Sequence, residues 1–333
     1  MSTLILNRNS ISVKLEANHL VLHEHADGGS FTRMPLVDIE RVIIVGQPAI
    51  TFPVLTKFLD LGIPCSFLTH SGCWRGMMDG DPGFHAGRRM KQYAKVHDDE
   101  FSLSLVRGTV AAKISNCRRT IQRLAAERKI CLQSDEAWEA LEKIKNEVSF
   151  FDTVNALRGI EGMAANVYFS LLGRFFPAEA PFQGRSRRPP RDAANALMSF
   201  VYTLLVNAFA AVIRAHGLDV AAGFFHCGVD RSPALALDLV EPFRSTWGDR
   251  LVLDLLNHHR VSTDKHFVAS ETDGVYLNDE GRKIVFRSFD EMMDRKRMLD
   301  GHSVSRRQIV EKVVCRFVSA IEADEKVEFY KAA

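Results

Sequence analysis

The pattern of apolar and polar residues changes near residue 80. Before that point, short alternating or β-branched runs are separated by turns rich in Asn, Asp and Gly, a pattern typical of β-strands. One helix interrupts the strands at residues 53–61, where apolar positions follow a helical period. The predicted strands cover residues 4–6, 11–15, 19–22, 42–45 and 64–68, with a turn at 27–30.

Helical periodicity dominates after residues 79–83, whose Gly and Pro should end the β region. The period predicts helices at residues 101–128, 136–148, 153–176, 192–216, 233–257, 289–298 and 304–323. We therefore expect an α+β protein. It should have a small N-terminal β-rich domain at residues 1–82, a linker at 83–100 and a larger all-α domain at 101–333.

Composition limits the class of protein without identifying its activity. A chain of 333 residues with 46% hydrophobic content can bury two ordinary cores. It contains no uninterrupted apolar run of about 20 residues and no signal-peptide pattern, so we expect a cytoplasmic protein with no membrane partner. Its six cysteines include no Cys-x-x-Cys pair, which argues against a structural zinc site and a disulfide framework.

Residues 223–244 contain an imidazole and two carboxylates at a spacing that suits a divalent metal. His226 precedes a glycine-bearing loop, and Asp238 and Glu241 are three residues apart on a short amphipathic helix. Carboxylate oxygens suit Mg²⁺ and Mn²⁺, and a neutral imidazole shifts the preference toward Mn²⁺ or a later transition metal. A histidine beside a solvated acid pair is also common, and spacing alone leaves that alternative open.

Four segments of the chain together resemble the CRISPR-associated protein 1 family, the integrase subunit of spacer acquisition. Residues 223–244 are similar to its Gly-Phe-x-His segment followed by Asp-Leu-x-Glu-Pro-Phe-Arg, and residues 157–169 to its central Glu helix. Residues 187–202 are similar to its Pro-x-x-Asp-x-x-Asn helix, and residues 274–282 match a further motif downstream. One mild departure is Ser232-Pro-Ala, where Arg-Pro-Ser is more usual.

The resemblance implies which residues form the active site. It matches Glu161, His226 and Glu241 to the family's catalytic, metal-binding triad for Mg²⁺ or Mn²⁺. Asp238 matches an auxiliary acidic position. Arg244 matches the family's arginine, which either clamps a DNA phosphate or holds Glu241 by a charge-assisted bond.

Glu161 has a helical context of its own. It lies between Gly159 and Gly162, and each glycine inside a helix costs roughly 1 kcal/mol relative to alanine. Close approach of a backbone, a metal or a DNA strand would explain that cost, and so would tight helix packing. Tyr168, two turns further on, is expected to complete the core.

Basic residues are concentrated in two places despite a net charge of only +2. Residues 83–130 contain eleven Lys or Arg against four acids. Residues 183–191 contain four arginines, among which Arg185, Arg187 and Arg188 are predicted to bind DNA phosphates, with Arg244 as a further contact. The alternative is that these runs are solvated helix faces.

The function implied by the resemblance is metal-dependent DNA integration. A DNA 3′-hydroxyl attacks a phosphodiester of the repeat, with endonuclease activity when water attacks instead. The implied partners are double-stranded DNA, a second copy of the chain and the small adaptation subunit, CRISPR-associated protein 2. The alternatives are a metal-dependent nuclease of repair or of a mobile element, and a non-catalytic DNA-binding scaffold.

Overall fold

The computed structural model describes residues 2–7, 9–24, 30–69, 74–78, 80, 85–226, 232–270, 274–299, 302–323, 327 and 329–331. Three predicted features lie wholly or mostly outside these residues: the turn at 27–30, the break at 79–83 and the loop that follows His226.

The N-terminal region forms two four-stranded sheets. The first has the order β1-β5-β7-β8, in which only the β7 and β8 pair is antiparallel. The second has the order β4-β3-β2-β6, and β4 is one of its edges. The strands and the single helix are β1 Ser2–Leu6, β2 Ile11–Glu16, β3 His19–Glu24, β4 Ser30–Pro35, β5 Ile39–Val45, β6 Ala49–Ile50, α1 Phe52–Asp60, β7 Cys65–Leu68 and β8 Trp74–Met78.

A separate apolar core holds this region together. Strand residues alternate between faces, so Leu4, Leu6, Val42 and Ile44 point to the side where helix α1 packs through Phe58. The opposite face of the first sheet is also buried, because residues of β5 and β7 join the core of the helical region. The two regions are therefore packed against each other through the first sheet.

The rest of the chain is mainly helical. Its helices are α2 Ala86–Val96, α3 Asp99–Glu127, α4 Glu136–Glu147, α5 Val154–Gly173, α6 Ala193–Ala215, α7 Ala234–Val240, α8 Arg250–Asn257, α9 Asp279–Asp294 and α10 Arg306–Ala323. Two short antiparallel hairpins interrupt them: β9 Phe267–Ala269 with β10 Val275–Leu277, and β11 Arg297–Leu299 with β12 His302–Val304.

Polar caps explain where several helices begin. Asp98 accepts the Phe101 amide at the start of α3, and Asp135 accepts the amides of Ala137 and Trp138 at the start of α4. Thr153 and Asp192 cap α5 and α6 in the same way. The predicted bounds of these four helices are therefore close to the observed ones.

Helix α6 lies at the centre of the helical region. Within the described residues it is the one helix long and apolar enough to cross a membrane. However, 72% of its most apolar 18-residue stretch is buried inside the fold. Its length and composition are those of a core helix. The site described below is built from α3, α5 and the segment after α7, all packed around this core.

The α+β class is confirmed, with a strand-rich N-terminal region and a mostly helical remainder. The predicted linker at 83–100 contains helix α2, which packs on α3 and α10. The helix predicted at 289–298 instead spans Asp279–Asp294, because Asn278 caps it through the Gly281 amide. Neither hairpin of the helical region was predicted, because their strands are only three residues long.

The helix predicted at 233–257 is not regular. After α7 the chain forms a 3₁₀ turn at Glu241–Phe243, then a π-helix at Arg244–Asp249, and only then α8. Pro242 has no amide proton for an ordinary helical hydrogen bond, so the helix cannot continue unchanged through this point. Irregular turns of this kind are frequent at functional sites, and Glu241 begins this one.

Candidate active site

Two acids predicted as metal ligands meet on one ammonium group. Glu161 is on α5 and Glu241 starts the 3₁₀ turn, and Lys113 on α3 lies between them. The Lys113 Nζ atom is 2.5 Å from Glu241 Oε2 and also contacts Glu161 Oε1. Three distant parts of the chain thus converge on one compact charged cluster.

His226 joins the cluster from the other side of Glu241. Its Nε2 atom is 3.7 Å from Glu241 Oε1, and its Nδ1 atom is 2.7 Å from Asp238 Oδ1. The structure therefore brings Glu161, His226 and Glu241 together. Lys113 links the two glutamates, and His226 lies beside Glu241.

Asp238 is a buried support for the histidine. Besides the imidazole, its two oxygens accept the backbone amides of Phe224, Phe225 and His226 at 2.6 to 3.0 Å. With four donors satisfied, the Asp238 carboxylate fixes both the backbone and the ring of His226. A carboxylate that orients a histidine in this way is common behind metal ligands.

The charges around Glu241 keep it ionised although it is buried. Burial opposes ionisation, but Arg244, Lys113 and His226 outweigh it and lower the pKa of Glu241 to about 2. Burial likewise opposes the charge of Lys113, and the carboxylates of Glu241 and Glu161 outweigh it, so its pKa is raised. The cluster is thus one buried and one partly buried carboxylate already compensated by a cation.

A divalent cation fits these residues. Two carboxylates and an imidazole supply oxygen and nitrogen ligands, which suit Mn²⁺ and Mg²⁺. The carboxylates of Glu161 and Glu241 already share one positive charge in a mostly buried place. An ion bound by both acids would take over the role that the Lys113 ammonium has here.

Arg244 holds Glu241 in position. Its Nε donates to Glu241 Oε1 at 3.0 Å, and its guanidinium lies 4.7 Å from the centre of the Tyr202 ring. Of the two roles that the sequence left open, the structure shows the one in which Arg244 supports the glutamate. A contact between Arg244 and DNA stays a prediction.

The two glycines beside Glu161 face open space. A Cβ atom added at Gly159 or Gly162 would meet no atom of the described part of the chain within 4 Å. Tight helix packing therefore does not explain them. The face of α5 that carries these glycines is free to approach another molecule closely.

A second buried acid lies behind the site. Asp249, at the end of the π-helix, accepts the hydroxyls of Tyr168 at 2.7 Å and Tyr202 at 2.5 Å. Burial raises the pKa of Asp249, although the two tyrosines and nearby Arg185 and Arg244 oppose that rise. The prediction that Tyr168 completes the core is confirmed, since its ring is buried.

The arginine loop, residues 183–191, has one internal arginine, Arg185, and three exposed ones, Arg187, Arg188 and Arg191. Arg185 donates from Nη1 to Asn195 Oδ1 at 2.7 Å and from Nη2 to Ser199 Oγ at 3.1 Å. The Nη1 and Nη2 donors of Arg185 are therefore used within the protein, and the predicted phosphate contacts of Arg187 and Arg188 stay a prediction.

The basic stretch at 83–130 is also partly used inside the fold. Several of its cations pair with acids or carbonyls: Arg88 with Glu322, Lys95 with Asp98, Arg107 with Asp152, Arg118 with Glu142, and Arg128 with the Phe175 carbonyl. Its excess positive charge is therefore a weaker sign of DNA binding than the sequence suggested.

Sequence reasoning missed the central role of Lys113. It was counted as one of many cations, yet it stands in the apolar run Val-Ala-Ala-Lys-Ile at 110–114. A single lysine on a buried helix face requires an acidic partner, and that signal was available. Arg158 was missed as well; its guanidinium donates twice to the Phe225 carbonyl, next to His226.

Comparison with known proteins gives consistent matches over nearly the whole chain. The family model of CRISPR associated protein Cas1 matches residues 4–291. The CRISPR-associated endonuclease Cas1 1 of Thermodesulfovibrio yellowstonii is 32% identical over 90% of this chain and 93% of that protein. The CRISPR-associated endonuclease Cas1 1 of Chlorobaculum tepidum is 34% identical over 78% of this chain and 77% of its own.

Solved structures share the fold. A casposase bound to integration product has a TM-score of 0.88 at 20% identity, covering 99% of this chain and 92% of its own. A Cas6-RT-Cas1–Cas2 complex has a TM-score of 0.86 at 22% identity, covering 100% of this chain and 36% of its own. A Cas1 protein from Thermotoga maritima has a TM-score of 0.83 at 24% identity, with both chains covered completely.

Proposed function

Since the chain belongs to the CRISPR-associated Cas1 family, we propose that it is a divalent-metal-dependent DNA integrase of CRISPR adaptation. It joins the 3′-hydroxyl ends of prespacer DNA to the repeat by transesterification, and it acts as an endonuclease when water replaces the hydroxyl. The observation that carries the proposal is the meeting of Glu161 and Glu241 on one cation, the Lys113 ammonium, beside His226.

The metal ligands are Glu161, His226 and Glu241, and the ion is Mg²⁺ or Mn²⁺. An ion held by these three residues would polarise the scissile phosphate, lower the pKa of the attacking hydroxyl and offset charge on the leaving oxygen. Asp238 Oδ1 holds the proton of His226 at Nδ1, so the Nε2 lone pair remains on the side of Glu241.

The protein supplies no covalent nucleophile in this proposal. The side chains of the cluster are acids, an imidazole, an ammonium and a guanidinium, which bind and orient charge. Exchange of one phosphodiester for another needs no nucleotide triphosphate, because the two bonds are of similar energy. Arg244 keeps the Glu241 carboxylate fixed while the DNA reacts.

The DNA path is inferred from the open face of α5 and from the exposed arginines. Gly159 and Gly162 leave room for a DNA strand beside Glu161, and Arg187 and Arg188 can contact phosphates. The solved casposase is described as bound to integration product, which supports a DNA-joining role for this fold. A DNA substrate also agrees with a cytoplasmic location.

Two protein partners are part of the proposal. The first is the small adaptation subunit Cas2, supported by a structural relative that belongs to a Cas1–Cas2 complex. The second is another copy of this chain, paired through the N-terminal region. There Phe31, Val37 and Phe52 have exposed fractions of 72%, 84% and 75%, and edge strand β4 carries Phe31.

The dimer is tested by light scattering. Replacing Phe31 and Val37 with serine should convert a wild-type dimer to monomer, because it removes apolar area at the proposed interface. Phe150→Ser is the matched control, since Phe150 is 78% exposed but lies in the helical region. An unchanged dimer in the double variant would place the interface elsewhere.

The activity is tested by an integration assay with Cas2, a plasmid bearing the repeat, prespacer DNA and Mn²⁺ or Mg²⁺. Glu161→Gln, His226→Ala and Glu241→Gln should each lower the rate of strand transfer by at least about 10³-fold, since metal polarisation contributes several kcal/mol. Glu139→Gln, on the exposed part of α4, is the control. Cleavage without joining would identify a nuclease, and neither activity would leave a DNA-binding scaffold.

A further inference from the structure

A second cluster of metal-binding side chains lies where helix α6 ends. His216 is the C-cap of α6, and Glu311 and Cys315 are four residues apart on α10, so they share a helix face. One ligand atom from each residue lies within 4.8 Å of the others. The His216 Nε2 atom is 2.6 Å from Glu311 Oε1 and 3.7 Å from Cys315 Sγ.

The backbone that carries His216 is firmly held. Arg88 Nη1 donates to the His216 carbonyl oxygen at 2.6 Å, and the same guanidinium is paired with Glu322. Gly217, the next residue, has a φ of +70°, and a Cβ there would lie 2.3 Å from the ring of His85. The turn therefore requires glycine, and the turn and Arg88 fix where His216 can lie.

The donor set of this cluster differs from that of the triad. It offers a thiol sulfur as well as an imidazole nitrogen and a carboxylate oxygen, a combination that favours Zn²⁺ over Mg²⁺ or Mn²⁺. Glu311 and Cys315 are exposed, so an ion and a water ligand can reach the cluster.

Of the three ligand separations, one already matches a zinc site, one needs a small adjustment, and the third, between Glu311 and Cys315, is within 4.8 Å. In a tetrahedral zinc site, ligand atoms lie about 3.3–3.8 Å apart, given metal–ligand bonds of about 2.0–2.3 Å. The separation of Cys315 Sγ from His216 Nε2, 3.7 Å, is already in that range. The hydrogen bond between His216 and Glu311, at 2.6 Å, would have to lengthen by about 0.7 Å.

We propose that His216, Glu311 and Cys315 bind a zinc ion that ties the end of α6 to α10. The Cys315 thiol gives its proton to solvent as the sulfur–metal bond forms. Sequence spacing could not show this site, because its histidine and cysteine are about 100 residues apart and no Cys-x-x-Cys pair is present. The proposal is independent of the integrase function, since none of these residues contacts the triad in the described structure.

Co²⁺ binding to the whole 333-residue chain tests the proposal, because a cobalt–thiolate bond gives an intense near-ultraviolet absorption band. Wild type should show the band, and Cys315→Ser should lose it. His216→Asn and Glu311→Gln should weaken Co²⁺ and Zn²⁺ binding by more than about tenfold, since even groups behind a zinc ligand change affinity by about 10–100-fold.

Two cysteine variants serve as controls. Cys131→Ser removes an exposed free thiol elsewhere, and Cys227→Ser removes the thiol next to His226 in sequence. Both should keep the band and the Zn²⁺ affinity of wild type. Absence of a band in wild type, or its survival in Cys315→Ser, would overturn the proposal.

Discussion

Glu241 and Asp249 lie eight residues apart on one irregular helical segment, and both are buried, yet their surroundings act on them in opposite directions. Two cations, Arg244 and Lys113, and the imidazole of His226 surround Glu241, and its pKa is lowered to about 2. The hydrogen-bond partners of Asp249 are two neutral tyrosine hydroxyls, and burial raises its pKa.

These opposite surroundings suit the two acids to different roles. A carboxylate kept ionised by nearby cations is suited to bind a divalent ion in place of one of them. For Glu241, the cation to be replaced is the Lys113 ammonium. A carboxylate enclosed by phenols is a structural group, because its oxygens already have donors. Burial alone therefore does not identify an active-site acid.

The largest expected effect comes from removing the cation between the acids. Without metal, Lys113→Met should lower the free energy of unfolding by about 3–5 kcal/mol, because it leaves the buried Glu241 and the partly buried Glu161 without their shared partner. The same variant should bind Mn²⁺ more tightly and recover stability when Mn²⁺ is added. Urea unfolding with and without Mn²⁺ measures both effects.

Lys145→Met is the matched control for that experiment. Lys145 pairs with Glu142 at 3.1 Å near the surface, where such a pair contributes about 0–1 kcal/mol. A Lys113→Met protein as stable as this control, with no added response to Mn²⁺, would contradict the role given to Lys113.

The opposite pKa shifts predict opposite dependences on pH in metal-free protein. The pKa of Glu241 is depressed from 4.5 to about 2, so it contributes stability above pH 4.5 that is lost as the pH falls toward 2. That contribution is about 3 kcal/mol. The difference in the free energy of unfolding between wild type and Glu241→Gln should therefore shrink as the pH falls through this range. Unfolding at several pH values measures it.

Asp249 should show the reverse dependence. Its pKa is raised above 3.8, so its protonation stabilises the fold below that pH, and this stabilisation is lost as the pH rises through the folded-state pKa. The free energy of unfolding of Asp249→Asn should therefore come nearest to that of wild type at higher pH. The substitution also disturbs two tyrosine hydrogen bonds, at a cost of about 1–3 kcal/mol. Parallel curves for the two variants would refute the contrast.

A smaller effect is expected from the support of His226. The two oxygens of Asp238 together accept four hydrogen bonds. Asp238→Asn replaces one of these oxygens with an amide group, so the His226 ring loses its fixed orientation. Mn²⁺ affinity should fall by about 10–100-fold, as for other groups behind metal ligands. Calorimetric titration measures it, with Asp249→Asn as a buried-acid control. Equal affinities in wild type and Asp238→Asn would remove Asp238 from the site.

The smallest change is expected in DNA affinity, from arginines that lie away from Glu241 and Asp249. Replacing Arg187 and Arg188 with alanine should make the slope of log affinity against log salt shallower by about 2, since each duplex phosphate contact contributes about 0.9. Lys143→Ala with Lys312→Ala, on exposed faces of α4 and α10, is the control pair. A slope identical to wild type would show that the loop is a solvated charge cluster.

Much of this organisation could be predicted from local sequence signals. The apolar period places α3 within two residues, and the motif around His226 and Glu241 indicates the acids and the imidazole. Lys113 was not predicted because its partners are 48 and more residues away. The irregular turn after α7 is not predicted because the helical period continues through it, although Pro242 is a residue that interrupts helices.

We propose above all that Glu161, His226 and Glu241 bind one divalent ion. Electron paramagnetic resonance of Mn²⁺ tests it directly, in a Cys315→Ser background that removes the second proposed site. We expect one bound Mn²⁺ per chain in that background and in its Glu139→Gln control, and none after Glu241→Gln. Equal Mn²⁺ binding with and without the Glu241 carboxylate would contradict it.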